Sequence, residues 1–164
     1  MARFYFCVFC LILLAAGCGE TAEEKAMEKK IEEATGADAE VDLSKKGMKV
    51  TGETEGGKYT VSTGESIEIP KDFPADVLIY HPSKAIAAMK IPEGYSVSLT
   101  TRNDVPKVTE TYKREMKAKG WSEEASMNIG AQSMLAYEKE SRAANITIAP
   151  MDDETRITVT VTTD

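Results

Sequence analysis

From Gly19 to Asp164 the chain contains no cysteine; its three are Cys7, Cys10 and Cys18. That excludes a disulfide, a thiolate nucleophile and a cysteine-ligated metal from the rest of the chain. Cys7 and Cys10 have the two-residue gap of a redox pair, yet both sit in an apolar run and read as small apolar residues. Histidine is scarcer, with His81 alone, so a Ser-His-Asp arrangement would hang on one imidazole beside Pro82. No serine stands in a strand-to-helix elbow, and His81 reads as a loop residue packed partly on Tyr80. Clustered positive charge is missing too: 20 basic side chains face 27 acidic ones, formal net −7, with no basic stripe. Nucleic acid and anionic lipid heads are therefore poor partners, because both are held by grouped Lys and Arg.

Long apolar runs are confined to one place. Met1-Ala2-Arg3 leads into Phe4 to Ala16, 13 residues, and then Gly17-Cys18-Gly19. That length fits the roughly 7–15 residues of a signal h-region and falls short of the ~20 a spanning helix needs. Leu14-Ala15-Ala16-Gly17-Cys18 resembles the lipobox of bacterial lipoproteins, in which small residues precede a cysteine that is acylated on sulfur and becomes the new N-terminus. In that family leucine more often stands three residues before the cysteine, where this chain has Ala15, with Leu14 one position further out. The resemblance implies cleavage between Gly17 and Cys18, covalent lipid on Cys18 and no other cofactor, and a membrane as the partner. Each buried methylene contributes about 0.8 kcal/mol, so two or three acyl chains hold a protein at a membrane without crossing it. Where a cell has two membranes, Gly19 is not the aspartate that favours inner-membrane retention, and the periplasmic leaflet of the outer membrane is expected. Loss of residues 1–17 would leave 147 of the 164 and, with Arg3 gone, take the net charge from −7 to −8.

Past the cysteine, Thr21 to Ala34 is rich in Glu, Lys and Ala, with Thr21 and Glu24 spaced as a capping box and Gly36 as a stop. A short helix is expected, its thin stripe of Met27, Ile31 and Ala34 favouring a solvated spacer over firm docking. The period then changes to two, in the pairs Val41 and Leu43, Met48 and Val50, Tyr59 and Val61, Ile67 and Ile69, with turns at Lys46-Gly47, Gly56-Gly57 and Gly64. This predicts an antiparallel meander with one covered face. Pro70, Pro74 and Pro82 bracket an extended connection around a buried strip from Val77 to Tyr80. A hairpin of Lys84–Ile91 and Tyr95–Thr101 follows. Asp104 is a good N-cap for a helix carrying Val105, Val108, Tyr112 and Met116, closed by Gly120, with Trp121 folding back over its end. Four strands complete the chain, near Glu124–Ile129, Ser133–Lys139, Ala143–Ala149 and Thr155–Thr163.

The fold expected is α+β: a curved antiparallel sheet with one principal helix, about 104–119, packed on it, preceded by a signal peptide, a short N-terminal helix and a β-meander. The expected divisions are the signal peptide 1–17, anchor and helical spacer 18–36, meander 37–71 and α+β domain 72–164, the last two forming one unit or two. Within this, Asp72 to Trp121 is similar to a group of small, mostly uncharacterised bacterial lipoproteins and exported proteins. The shared residues are Phe73-Pro74 with Asp76-Val77, Ile79-Tyr80, Thr100-Thr101, and the helix positions Val108, Tyr112, Met116 and Gly120-Trp121. In that group the tyrosine runs into Pro-Gly, whereas this chain has His81 before Pro82 and Ser83 in place of glycine. The resemblance implies architecture and no catalytic residue.

Asp152-Asp153-Glu154 lacks the alternating acids, glycine and distant glutamate of a calcium loop and reads as a hairpin tip. Met48, Met89, Met116, Met127 and Met134 read as core filler rather than a soft-metal cluster. With no metal, catalytic or phosphate-binding signature, the function expected is a membrane-anchored envelope lipoprotein with a noncatalytic binding or adaptor domain, acting on an envelope protein partner. The alternative is a periplasmic module that takes a small molecule or lipid into a cleft between helix and sheet, with Tyr80, Tyr95 or Trp121 at its mouth. An enzyme working through carboxylates is the third reading.

Overall fold

Strands that alternate apolar residues with Thr, Ser and Lys need neighbours on both sides and a cover for one face. The computed structural model, which describes residues 21–35, 39–44, 47–54 and 56–163, meets that need with one sheet of nine strands. In chain order the elements are α1 (Ala22–Thr35), β1 (Ala39–Ser44), β2 (Gly47–Thr54), β3 (Gly57–Gly64), β4 (Lys84–Ile91), β5 (Gly94–Thr101), α2 (Val105–Ala118), β6 (Ser122–Ile129), β7 (Gln132–Lys139), β8 (Arg142–Met151) and β9 (Glu154–Thr162). Their spatial order is β1-β2-β3-β4-β5-β9-β8-β7-β6, antiparallel at every step. The chain makes a five-strand meander, crosses to the far edge through α2, and winds back until β9 lies against β5. The result is the expected α+β class, an open, curved antiparallel sheet with two helices.

Register explains the core. Val97, Val159, Ile146 and Leu135 face one another across β5, β9, β8 and β7, and Leu99, Ile157, Ile148 and Ser133 form the next row. All eight are buried. α2 lies over β6, β7 and β8 on this face and inserts Val108, Tyr112 and Met116, each fully buried. Spacings of four put these three on one helical face, so a single apolar stripe suffices to dock the helix. The rest of the face is covered by the connection between β3 and β4. Val77 and Tyr80 are buried there, and Ile67, Ile69, Phe73, Leu78 and Ile79 pack against the same cluster. Ile67 and Ile69, expected as a fourth meander strand, lie in this connection instead. Their backbone follows β4 through one amide, Ile67 N–H to the Ala85 carbonyl at 2.9 Å, and Pro70 prevents a longer ladder.

The alternation changes phase at β3. Ser62 pairs with Ala88 and Lys49 with Ser62, so on the α2 side the first three strands are polar. Their apolar residues Val41, Val50 and Val61 line up with Met89 and Ser96 on the opposite face, where Val41 and Val50 are buried. α1 is the element packed against β1. It docks through carboxylates as well as through its half-buried Met27 and Ile31: Glu28 Oε1 accepts from the Val41 N–H at 2.9 Å and Glu24 Oε1 from the Leu43 N–H at 2.8 Å. Two acceptors four residues apart on a helix thus meet alternate donors on the free edge of a strand. The other Glu24 oxygen accepts from the Thr21 N–H, completing the capping box with Thr21 Oγ1 and the Glu24 N–H. Because β3 pairs with β4, the sheet runs unbroken past residue 72.

Candidate functional site

α2 is held at both ends. At the N-terminus Asp104 accepts the Lys107 N–H at 3.1 Å, with Pro106 in the first turn where no amide partner is lost. At the C-terminus Gly120 takes φ +84°, and the Trp121 N–H returns to the Met116 carbonyl at 3.0 Å. Trp121 is buried, its Nε1–H donating to the Asp76 carbonyl at 2.8 Å, and the Arg142 guanidinium sits 5.2 Å over its ring. The Asp76 carboxylate collects Arg142 through both terminal nitrogens (3.1 and 2.6 Å) and Lys139 Nζ (2.7 Å). Lys139 also donates to the Lys119 carbonyl at 2.9 Å. The two-pronged Arg142 bond, with Lys139 behind it, holds the Asp76 carboxyl well below the usual carboxylate range although burial opposes this. This cluster ties the connection, the end of α2 and the β7–β8 turn together, and neither a nucleophile nor a free base is part of it.

The N-terminal half of α2 is different. Between it and the β6–β7 hairpin lies a cleft of about 650 Å³. Val105, Pro106, Thr109, Glu110 and Lys113 form its helical wall; Asn128, Gly130, Ala131, Gln132 and Pro150 form the other. A volume in this range, apolar at the base of the helix and edged by two amides, one hydroxyl and the charges of Glu110 and Lys113, suits a small organic ligand. Three buried hydroxyls outside the cleft's lining lack a well-formed hydrogen bond: Ser133, next to Gln132 of the cleft; Tyr137, towards the Lys139 end of β7; and Tyr112, whose phenol lies at the Tyr80 backbone. Burial pushes the Tyr137 phenol up to about 12 and raises that of Tyr112 as well, so both stay protonated donors at any ordinary pH. A single carboxylate, Glu110, lines the cleft, and acid–base chemistry of the two-carboxylate kind has no second member there. Two more grooves, of about 530 and 520 Å³, flank residues 66–71, the first lined by His81, Lys84 and Leu99 and the second by Asp42, Lys49 and Lys90. Among the described residues no group of three or more His, Cys, Asp or Glu could hold a metal ion, and no helix is long and apolar enough to cross a membrane.

The residues singled out from sequence fall as follows. Gly17 and Cys18 lie outside the described residues. Tyr80 is buried, stacked on Tyr112 at 6.2 Å between centroids, and its hydroxyl accepts from Asn103 Nδ2 at 2.9 Å. Tyr95 is buried edge-on to Phe73 at 5.7 Å, and burial, with the Asp72 carboxylate beside it, raises its pKa. Trp121 seals the end of α2. The three occupy separate places in the core, and none lines the clefts described above. The α2 wall and hairpin tip carried no chemical motif; the signal available was the uninterrupted polar side of the helix opposite Asn128-Ile129-Gly130-Ala131. His81 is exposed on the rim of the 530 Å³ groove and joined to Pro82 by a cis peptide. Asp152 and Asp153 form the β8–β9 turn. Met116 is core, but Met127 is 52% and Met89 38% exposed, so the reading of all five methionines as filler is corrected: alternation places these two on the face away from α2.

No curated protein and no solved structure matches the chain. A family model described as START domain-like does, over residues 84–163, which is β4 through β9 with α2 and just under half of the sequence. The two helices and nine-stranded open sheet are consistent with that fold, so it is to START domain-like proteins that residues 84–163, the stretch holding the whole of the cleft beside α2, are similar.

Proposed function

We propose that the protein is a noncatalytic ligand-binding module of the cell envelope, held at a membrane by lipid on Cys18, whose ligand enters beside α2. The observation that carries the binding reading is the match of residues 84–163 to a START domain-like family together with the 650 Å³ cleft inside that stretch. The space directly under the helix is filled by Val108, Tyr112 and Met116, so the preformed part of the site is the cleft against the β6–β7 hairpin. A ligand reaching further must lift the N-terminal half of α2, which lacks the charged clamp that fixes the other half. Val105, Pro106, Ala131 and Pro150 beside the Asn128 and Gln132 amides favour a mostly apolar molecule bearing a few polar atoms. The anchor reading rests on the order of Arg3, the 13-residue apolar run, Gly17 and Cys18.

Native mass spectrometry of the protein extracted from membranes tests both parts. The expected result is a lipid-modified N-terminus at Cys18, lost in Cys18→Ala, and a co-purifying apolar ligand that Thr109→Trp displaces by filling the cleft. Failure to retain any apolar molecule from a lipid panel, or retention unchanged by Thr109→Trp, would refute the site.

A further inference from the structure

The two edges of the sheet are treated differently. At the β1 edge, α1 supplies Glu24 and Glu28 as acceptors for the outward amides. At the other edge β6 pairs with β7 alone, and among the described residues no element covers it. Every residue of β6 except Ala125 is exposed. Ser126 and Asn128, on the α2 side, are exposed as well as Met127 and Ile129 on the other, so α2, although it reaches β6, leaves the side chains of this edge open to solvent. Native sheets blunt a free edge with Lys, Pro or a bulge. Here a bulge at Glu124 and the charges of Glu123 and Glu124 blunt the beginning of the strand, while 125–129 contains no charge and no proline. Met127, 52% exposed, and Ile129, 63% exposed, stand in that unprotected half.

We infer that β6 is a pairing edge for a second copy of this chain, joined antiparallel about a two-fold axis at Met127. Charge decides both occupant and direction. In that register Met127 faces Met127 of the other copy, Ala125 faces Ile129, and Ser126 faces Asn128, so apolar meets apolar and amide meets hydroxyl. Each copy's acidic beginning, Glu123 and Glu124, falls beside the uncharged Gly130-Ala131 tip of the other. A parallel arrangement would stack the glutamates of two acidic chains, which is destabilising. Shifting the axis to Ser126 would set Ile129 against Glu123. The axis at Met127 alone uses the whole of 125–129 without a charge conflict. Both faces of the sheet continue across the junction, and the unpaired ladder groups of each β6 satisfy those of the other.

The test uses the full-length chain in nonionic detergent, with Cys7, Cys10 and Cys18 changed to alanine so that one introduced thiol is the only one. Directly opposed residues in antiparallel strands have Cα atoms about 4.5–5.5 Å apart, within the roughly 4.4–6.8 Å that a disulfide spans. Met127→Cys should form a disulfide dimer on mild oxidation, and Thr158→Cys, on the same face in the middle of the sheet, should not. Adding Ile129→Glu to Met127→Cys places a third acid beside Glu123 and Glu124 of the other copy and should abolish most of the cross-link, whereas Ile129→Lys should keep it. β6 is exposed, so circular dichroism should find all these variants folded. A monomeric Met127→Cys overturns the proposal. So does equal cross-linking at Thr158, or the same response to glutamate and lysine at position 129.

Discussion

Replacing Asp76 by alanine removes three charge-assisted hydrogen bonds from a cluster that is mostly withdrawn from water, the side chains of Asp76, Lys139 and Arg142 being 28%, 25% and 18% exposed. Breaking a fully buried pair by deleting one partner costs about 3–5 kcal/mol. Here each cation keeps a second partner, Arg142 on the Trp121 ring and Lys139 on the Lys119 carbonyl, and partial exposure screens what is left. The expected loss is therefore about 2–3 kcal/mol for Asp76→Ala, and about 1–2 for Asp76→Asn, which retains an acceptor. Urea denaturation at pH 7 measures this directly. The pH dependence separates charge from shape. Because the folded carboxyl titrates well below the unfolded one, its contribution is complete above the unfolded value near pH 4 and is lost as pH falls through the lower folded value. Asp76→Asn removes that contribution, so wild type and variant should differ most above pH 5 and converge towards pH 2. A difference below about 0.5 kcal/mol at pH 7, or one that stays constant down to pH 2, would refute the clamp.

Glycine substitutions should separate sharply by site. Gly94 has φ +154° and an added Cβ would lie 2.1 Å from the Val161 carbonyl oxygen, so Gly94→Ala should cost upwards of about 2 kcal/mol; Gly130, φ +61° in open space, should cost about 1 when replaced by alanine. Thermal unfolding of the pair checks this. The Glu24 carboxyl is held below its ordinary range first by the Leu43 amide and then by Thr21, so docking of α1 should be complete above that range and loosen as pH falls through the lowered value. In Glu24→Gln with Glu28→Gln, the amides of Val41 and Leu43 should exchange hydrogen faster at pH 7 while those of β9 are unchanged; equal exchange would refute the edge cap. Removing the buried Tyr112 hydroxyl, which has at most a poorly formed contact with the Tyr80 backbone, in Tyr112→Phe should change stability by less than about 1 kcal/mol in denaturant titration. A loss above 1 would mean the phenol has a partner in solution.

The second half of the chain was legible because local signals agreed there. Asp104, Pro106 and Gly120 delimit α2, and its stripe of Val108, Tyr112 and Met116 is the docked one. The threonine-alternating end is β9, which reaches the centre of the sheet by pairing with β5. Strand existence could be read from period two; strand order could not, since β9 is as well matched in pattern to an edge. The phase change at β3 was likewise hidden. Val41, Val50 and Val61 alternate as cleanly as Val97 and Leu99, and alternation says that one face is apolar without saying which. α1 was harder still, because its grip on β1 comes from Glu24 and Glu28, residues whose charge reads as solvation until a strand edge is set beside them. The cleft beside α2 needed the fold before it existed at all, its walls being about 20 residues apart in sequence.

The buried hydroxyls give the binding proposal its sharpest consequence. A core that served packing alone would place phenylalanine where Tyr112 and Tyr137 stand, since an unpaired buried hydroxyl costs about 1–3 kcal/mol. Both phenols are donors at neutral pH, because burial keeps them protonated. If a ligand's acceptor reaches them, which needs the clamped end of α2 to open as well as the free end because Tyr137 lies towards Lys139, the deficit carried by the empty protein is recovered on binding, and stability and affinity then depend on the same two atoms with opposite sign. The double variant Tyr112→Phe with Tyr137→Phe should unfold at a higher denaturant concentration than wild type and retain less of the co-purified ligand. If the hydroxyls serve neither purpose, the first effect appears without the second, and the ligand is then confined to the outer cleft between Val105 and Gln132. Retention lost together with stability would instead mean that the two phenols are structural and that the helix does not lift.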